Sequence, residues 1–262
     1  MNMLERDEKG ILHVVALSGG KDSTALALRL AETEPHPYNY VCTPTGDELP
    51  EMFAHWRRIG EILGRRILPI MAHTGLSGLV REEKMIPNHS ARFCTRKLKI
   101  EPYQAWLREQ VQHGPVFSYV GLRADEPGRA GGAYDIAEVA VRFPMREWGW
   151  GVADVLSYLE QRDVSIPERT DCARCYEQQL IEWWLLWKQH PEIYADAEQQ
   201  EAEMSELVGK LVSWRSPSRD AWPAQLKDLR VEFERGRIPR DTSRVQRQRD
   251  LFRGGQCRVC SM

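Results

Sequence analysis

The sequence predicts an α/β fold with a doubly wound, mostly parallel sheet, followed by a helical C-terminal part that carries cysteines. Short apolar runs alternate with helix-like stretches over the first two-thirds of the chain, a pattern typical of parallel βαβ units. A glycine-rich turn joins the first apolar run to a helix start, and ligands bind at this edge of such sheets. We therefore predict a nucleotide-binding α/β domain over residues 1–166 and a helical region with C-x-x-C motifs over residues 167–262.

The individual elements follow from apolar runs and from helical spacing of apolar residues. Strands are predicted at residues 11–18, 38–42, 66–71, 116–122 and 139–145, and helices at 22–33, 50–63, 97–112 and 151–160. Beyond Pro167 the composition changes, and helices are predicted at 172–188, 191–211 and 226–235.

Composition narrows the class of protein. The chain has 262 residues, a net charge of −2 and no long apolar run, which argues against bulk attraction to nucleic acid and against a membrane span. Its N-terminus is polar and has no secretory apolar region, so we expect a cytoplasmic protein with reduced cysteines. Six cysteines in that setting indicate a metal site or catalysis rather than disulfides.

The segment SGGKDST, residues 18–24, has the chemistry of a phosphate site. Its glycines let the backbone approach an anion, and the helix that follows offers unpaired N–H groups and the positive end of its dipole. It is not a Walker A loop, because Val15 stands where that motif needs a glycine. Every residue of the segment is a predicted nucleotide contact through its amide, ammonium or hydroxyl group: Ser18, Gly19, Gly20, Lys21, Asp22, Ser23 and Thr24.

This segment resembles the PP-loop of the ATP pyrophosphatase superfamily. Three further segments resemble the PAPS reductase-like branch of that superfamily: TGDELPE at 45–51, CTRKLKIEP at 94–102 and GLRADEPGR at 121–129. The resemblance extends over residues 11–190 and implies an adenine nucleotide α-hydrolase-like fold of the HUP type. It also implies ATP, or the sulfonucleotides PAPS or APS, as the ligand, together with Mg²⁺.

The resemblance assigns roles to residues of these segments. Thr45, Gly46 and Arg129 are expected near the nucleotide, and Asp22 or Asp47 near Mg²⁺. The predicted catalytic residues are Lys21, Asp22, Arg123 and Lys97, the two last by stabilising charge on the α-phosphate. Arg96 and Lys99 accompany Lys97, and these three cations either face a phosphate or sulfate or form a solvated helix face.

The cysteines of the sequence indicate a metal or iron–sulfur site. Cys172 with Cys175 and Cys257 with Cys260 form two C-x-x-C pairs, which commonly bind zinc, although thiolates also hold 4Fe–4S clusters. APS reductases and DndC-type phosphorothioation proteins, which this layout resembles, pair a later C-x-x-C with a cysteine placed like Cys94. That resemblance implies a 4Fe–4S cluster, with Zn²⁺ as the alternative, and the cations beside Cys94 predict a lowered thiol pKa. The chain departs from APS reductases at Phe93, where they have a second cysteine.

The complete SGGKDS segment and the absence of the reductases' Glu-Cys-Gly-(Leu/Ile)-His tail favour ATP over a sulfonucleotide. The predicted function is cleavage of the nucleotide at its α-phosphate to drive sulfur transfer to an acceptor. Sulfonucleotide reduction is the alternative enzyme activity, and a non-catalytic nucleotide sensor is the alternative of another class. The candidate partners are a sulfur donor such as a cysteine desulfurase, a nucleic-acid acceptor contacted by the arginine-rich tail, and a second copy of the chain.

Overall fold

The computed structural model describes residues 4–131, 134–217 and 220–240. Five parallel strands form one sheet in the order β3-β2-β1-β4-β5. Their bounds are β1 Leu12–Ala16, β2 Asn39–Cys42, β3 Leu68–Pro69, β4 Val116–Tyr119 and β5 Val139–Arg142. The predicted parallel α/β fold is confirmed, although β3 has only two residues where six were predicted. Strand order reverses between β1 and β4, and ligands bind at that position in open parallel sheets.

Helices cover both faces of the sheet because successive residues of a strand point to opposite faces. Val15 of β1 packs in the cluster formed with α1 and α7, whereas its neighbour Val14 packs in the cluster formed with α5. The helices of the first two-thirds are α1 Lys21–Thr33, α2 Pro50–Leu63, α3 Leu76–Glu83, α4 Phe93–Thr95, α5 Glu101–Gln110, α6 Pro144–Glu147 and α7 Val152–Gln161. A π turn, Arg96–Ile100, joins α4 to α5, and a 3₁₀ turn, Val111–His113, follows α5.

In the described part of the chain after Pro167 there are three helices: α8 Leu180–Gln189, α9 Pro191–Val208 and α10 Leu226–Glu234. Their apolar side chains form one buried cluster with α3, in which Trp183 of α8 and Leu79 of α3 both take part. Glu201 of α9 fixes the segment before α10, because its carboxylate accepts the backbone N–H of Trp214 and of Leu226, each at 2.7 Å. The apolar core thus continues across residue 167, the predicted boundary between the two regions.

The predicted helix over 172–188 is wrong in its first half, since residues 172–179 form turns and α8 begins only at Leu180. The reason is a short antiparallel bridge between Cys172 and Glu48, which holds this segment against the loop after β2. Within the described ranges, no helix is both long and apolar enough to cross a membrane.

Candidate functional site

A pocket opens where strand order reverses, at the carboxyl ends of β1, β2 and β4. Its empty volume is about 1050 Å³, part of it open to solvent. Both regions of the chain contribute to its wall. The polar and aromatic residues that line it are Ser18, Lys21, Asp22, Ser23, Thr43, Glu48, Trp56, Lys99, Tyr103, Arg129 and Thr170, and the cysteines are Cys42 and Cys172.

The loop before α1 is held by its own hydrogen bonds. The Ser23 hydroxyl accepts the Gly19 N–H at 3.1 Å, donates to the Gly20 carbonyl at 3.1 Å and lies 3.0 Å from the Ser18 hydroxyl. Gly19 has φ +88°, and a Cβ there would lie 2.5 Å from the methyl of Met52. The positive φ favours glycine at this position, and the internal hydrogen bonds fix the loop beside the pocket end of β1.

Lys21 and Arg123 share one carboxylate. The Lys21 ammonium lies 3.0 Å from Asp22 Oδ2, and the Arg123 guanidinium lies 2.9 Å from the same oxygen. Burial lowers the pKa of Lys21, and the Asp22 carboxylate opposes that shift. Lys21 lines the pocket but Arg123 does not, because Asp125 at 2.8 Å and Glu126 at 3.3 Å hold its guanidinium as well. In this structure the Arg123 guanidinium contacts Asp22 and does not line the pocket, so its role at the α-phosphate stays a prediction.

Arg129 is the arginine that lines the pocket. Its guanidinium lies 2.9 Å from both carboxylate oxygens of Glu126, the residue that also contacts Arg123. One guanidinium nitrogen makes both contacts, and the role of Arg129 as a nucleotide contact stays a prediction.

Four predicted nucleotide contacts do not line the larger pocket: Gly19, Thr24, Thr45 and Gly46. Thr24 is fully buried and its hydroxyl lies 3.2 Å from His55 Nε2, so it faces α2. The Thr45 hydroxyl donates to Glu48 at 2.7 Å and lies 3.2 Å from the sulfur of Cys172. Gly46 is exposed at a turn with φ +77° and lines neither pocket of this site. Thr24 therefore belongs to the packing of α1, and Thr45 and Gly46 to the loop after β2, rather than to the wall of the larger pocket.

Asp47 is not placed to hold Mg²⁺. It is buried, and its carboxylate accepts the backbone N–H of Arg174 at 2.9 Å and the Arg174 Nε–H at 2.6 Å. The same guanidinium reaches Ser77 at 2.9 Å and Asp196 at 2.6 Å. This buried ion pair fastens the C-x-x-C segment to the loop after β2, with a further bond from the Ala173 N–H to the Asp47 carbonyl at 2.6 Å.

A second, smaller pocket adjoins the first and has an empty volume of about 350 Å³. We call it the thiol pocket, because Cys94, Cys172 and Cys175 line it together. Its other walls include Thr45, Thr95, Lys99, Arg174 and Tyr176. Lys99 and Cys172 line both pockets, so the thiols and the phosphate loop share one wall. Cys257 and Cys260, the other predicted metal ligands, lie outside the described residues.

Lys99, not Lys97, is the cation of this shared wall. Lys97 pairs with Glu83 of α3, Arg96 pairs with Glu101, and neither cation lines a pocket of the site. Lys99 is 7% exposed and lies in the π turn. Lys99 is thus the lysine of this turn that lines both pockets, and the catalytic role predicted for Lys97 has no support from its position.

The family model for the phosphoadenosine phosphosulfate reductase domain matches residues 12–168. The chain belongs to this family. No curated protein sequence matches it significantly.

Three solved structures resemble this PAPS reductase-family chain in fold. The phosphate complex of the PAPS reductase from Candida auris has 15% identity over 58% of this chain and 73% of its own, with a TM-score of 0.45. The U34-tRNA thiolase NcsA from Methanococcus maripaludis, with its 4Fe-4S cluster, has 16% identity over 85% and 78%, with a TM-score of 0.45. A predicted subunit of tRNA methyltransferase from Methanocaldococcus jannaschii has 17% identity over 59% and 88%, with a TM-score of 0.31.

The thiols of this PAPS reductase-family domain are neutral while no metal is bound. Burial raises the pKa of Cys94, despite Lys99 nearby, and raises that of Cys172 to about 12. The lowered pKa predicted for Cys94 is thus wrong, because desolvation outweighs the cation. The three sulfurs do not all lie within 4.8 Å of one another. A single zinc ion, with Zn–S bonds of about 2.3 Å, would bring them within about 4.6 Å. A single zinc ion would therefore need the three sulfurs to lie closer together than they do in this structure.

Sequence reasoning missed Trp56, Tyr103 and Thr170 as pocket residues. Trp56 lies in the second turn of α2 and belongs to no sequence motif. Thr170 stands two residues before Cys172, and that nearness to the C-x-x-C pair was its one available signal.

Proposed function

We propose that the chain binds an adenine nucleotide in the larger pocket and uses it, at the α-phosphate, in sulfur transfer at the thiol pocket. The observation that carries this proposal is the wall that the two pockets share, formed by Lys99 and Cys172. A phosphate loop and a set of three thiols that meet at one cation suit a reaction between an activated phosphoryl group and sulfur. Membership of the PAPS reductase family supports it.

In this proposal the phosphates lie on the amides and hydroxyls of residues 18–23, and Lys21 and Arg129 balance their charge. Asp22 fits Mg²⁺, because its Oδ1 has no hydrogen-bond partner among the described residues and Mg²⁺ prefers carboxylate and phosphate oxygens. Arg123 keeps the Asp22 carboxylate in place. Burial in the pocket wall strengthens each of these electrostatic contacts.

With ATP, an oxygen of the acceptor attacks the α-phosphorus, the bond to the β-phosphate oxygen breaks, and pyrophosphate leaves. A sulfur nucleophile then attacks the adenylated carbon, the carbon–oxygen bond breaks, and AMP leaves with the electron pair. Lys99 lies where it stabilises negative charge on the α-phosphate during both steps. The acceptor that we propose is a nucleic acid.

An iron–sulfur cluster fits the thiol pocket by its donors, three cysteines at one wall, with Cys257 or Cys260 as the proposed fourth ligand. When bound, such a cluster would supply a site that holds or activates sulfur. Cys94, Cys172 and Cys175 would hold it beside the nucleotide pocket, and Lys99 would balance part of the thiolate charge.

Sulfonucleotide reduction is the second candidate. It is favoured by one observation, the presence of Cys172 in the nucleotide pocket itself, where a thiol could meet a sulfonate. A nucleotide sensor is the third, and it predicts binding without cleavage.

The experiment is anaerobic purification, measurement of iron, sulfide and zinc per chain, and incubation with ATP, APS or PAPS. AMP and pyrophosphate from ATP, increased by added tRNA or DNA, support the proposal. Sulfite from APS or PAPS, with a thiol reductant present, supports the reductase instead. Bound nucleotide that none of these conditions converts identifies the sensor and overturns both enzyme activities.

A further inference from the structure

Tyr176, which directly follows the C-x-x-C pair, has a hydroxyl group without a hydrogen-bond partner among the described residues. The residue is 6% exposed and lines the thiol pocket. A buried polar group left unpaired costs about 1–3 kcal/mol, so such groups in folded proteins usually face a ligand or an ordered water. The fold thus keeps an unused donor at the wall of this pocket.

The surroundings of this donor are well defined. Tyr176 shares the thiol pocket with Cys94 and Cys175, and the charges of Arg92 and Glu177 also act on its hydroxyl. His89 packs edge-on against the ring, with centroids 5.3 Å apart and planes at 88°, which limits rotation of the ring. Turn hydrogen bonds from the Cys175 N–H to the Cys172 carbonyl at 3.2 Å, and from the Gln178 N–H to the Cys175 carbonyl at 2.9 Å, fix the backbone on both sides.

A phenol is protonated at neutral pH and donates one hydrogen bond. The groups that three converging thiols collect are soft and negatively charged: the sulfides and thiolates of an iron–sulfur cluster, or the outer sulfur of a persulfide. Both accept hydrogen bonds. Of the other polar side chains in this wall, Thr45 and Arg174 are bonded to Glu48 and Asp47, whereas the Thr95 hydroxyl, like that of Tyr176, has no hydrogen-bond partner among the described residues.

We infer that the Tyr176 hydroxyl donates a hydrogen bond to an anionic sulfur held in the thiol pocket by Cys94, Cys172 and Cys175. This inference rests on the thiol centre of the proposed function. Hydrogen bonds to sulfur stabilise the more negative state and so raise the reduction potential of a cluster. Tyr176 therefore sets how readily the centre accepts an electron or keeps a sulfur anion.

The test uses the full chain in three forms: wild type, Tyr176→Phe and Tyr158→Phe. Tyr158 is a matched control, because it is also 6% exposed but packs in the core between α1 and α7. In the first arm each protein is reconstituted with ferrous iron and sulfide, and its midpoint potential is measured by reductive titration followed by electron paramagnetic resonance. We expect Tyr176→Phe to keep its iron and to disfavour reduction about tenfold, about 59 mV for one electron.

In the second arm, metal-free protein is treated with polysulfide, which transfers a sulfane sulfur to a cysteine thiolate, and the bound sulfur is counted by cyanolysis. If Tyr176→Phe holds less sulfane sulfur than wild type but has an unchanged midpoint potential, the hydrogen-bond acceptor is a persulfide. If only its midpoint potential shifts, the acceptor is the cluster. If wild type and Tyr176→Phe both bind iron or sulfane sulfur and give equal values in both arms, the inference is overturned but the thiol centre is not. Wild type that holds neither iron nor sulfane sulfur overturns it together with the thiol centre.

A second variant covers the case in which Tyr176→Phe does not fold or loses its iron. Tyr176 replaced by 3-fluorotyrosine keeps the shape and is a stronger donor, so the midpoint should move in the opposite direction, toward easier reduction. No movement with this variant overturns the inference.

Discussion

Lys99 follows Cys94 by five residues, and the π turn between them brings both side chains to the wall of the same pocket. In an α-helix the residues that share a face with Cys94 are three and four positions on, Lys97 and Leu98. The wider π turn, in which the Glu101 N–H bonds to the Arg96 carbonyl, delays the return to that face until Lys99. π turns of this kind occur often at functional sites.

Lys99→Met should lower kcat/KM with the active nucleotide by about 100-fold or more, because a buried cation that faces developing charge is lost. Lys97→Met, two residues away and engaged with Glu83, should change it less than about twofold. Steady-state product release measured for both variants makes the comparison. A larger loss in Lys97→Met would place the α-phosphate on the other side of the helix and refute the assignment.

Lys21→Ala should abolish turnover, with a loss of at least about 100-fold, while the protein stays folded. Asp22 keeps Arg123 as its partner, so no uncompensated carboxylate results. Nucleotide turnover and thermal unfolding by circular dichroism are the two measurements. Full activity with a normal melting curve would show that the loop does not carry the reaction.

Arg174→Met should destabilise the protein by about 3–5 kcal/mol, because it leaves the buried Asp47 carboxylate without its counter-ion. Arg81→Met removes the exposed pair with Glu203 and should cost less than about 1 kcal/mol. Urea unfolding gives the free energy of unfolding for both. Equal, small effects would mean that the C-x-x-C segment is held in another way.

The pH dependence of stability should depend on Glu201. Burial raises the pKa of Glu201 to about 8, despite the two backbone N–H groups that its carboxylate accepts. The folded state thus holds a proton that the unfolded chain loses near pH 4.5, so stability falls as pH rises from that value toward about 8.

Glu201→Gln should remove this contribution, which has a limiting slope of about 1.4 kcal/mol per pH unit. The free energies of unfolding of both proteins at about pH 6 and about pH 9 give the comparison. Parallel pH profiles for the two proteins would contradict the assignment.

Local patterns predicted the sheet well. Strands that are buried on both faces, such as residues 11–18, are apolar along their length, so their pattern does not depend on distant partners. Local patterns also predict the loop before α1, because its glycines, lysine and hydroxyl residues stand within seven consecutive positions. The failures concern long-range partners. The helical spacing of apolar residues predicted a helix that begins at Cys172. The bridge between Cys172 and Glu48, which are 124 residues apart along the chain, prevents this.

The same distinction explains the site. Charge and position drew attention to Arg123 and Lys97, whereas the carboxylates that neutralise them, Asp125 with Glu126 and Glu83, became visible only in the folded chain. The burial that raises the pKa of Cys94 likewise depends on packing, and it cannot be predicted from the neighbouring residues in the sequence.

The ion pair between Asp47 and Arg174 also limits where this chain can be truncated. The family match ends at residue 168, yet the guanidinium that neutralises Asp47 and two residues of the nucleotide wall, Thr170 and Cys172, come after it. A fragment trimmed to the match would retain the phosphate loop, lose part of the wall around it and carry an unneutralised acid in its interior. The C-x-x-C segment and residues 12–168 should therefore be expressed and exchanged as one unit.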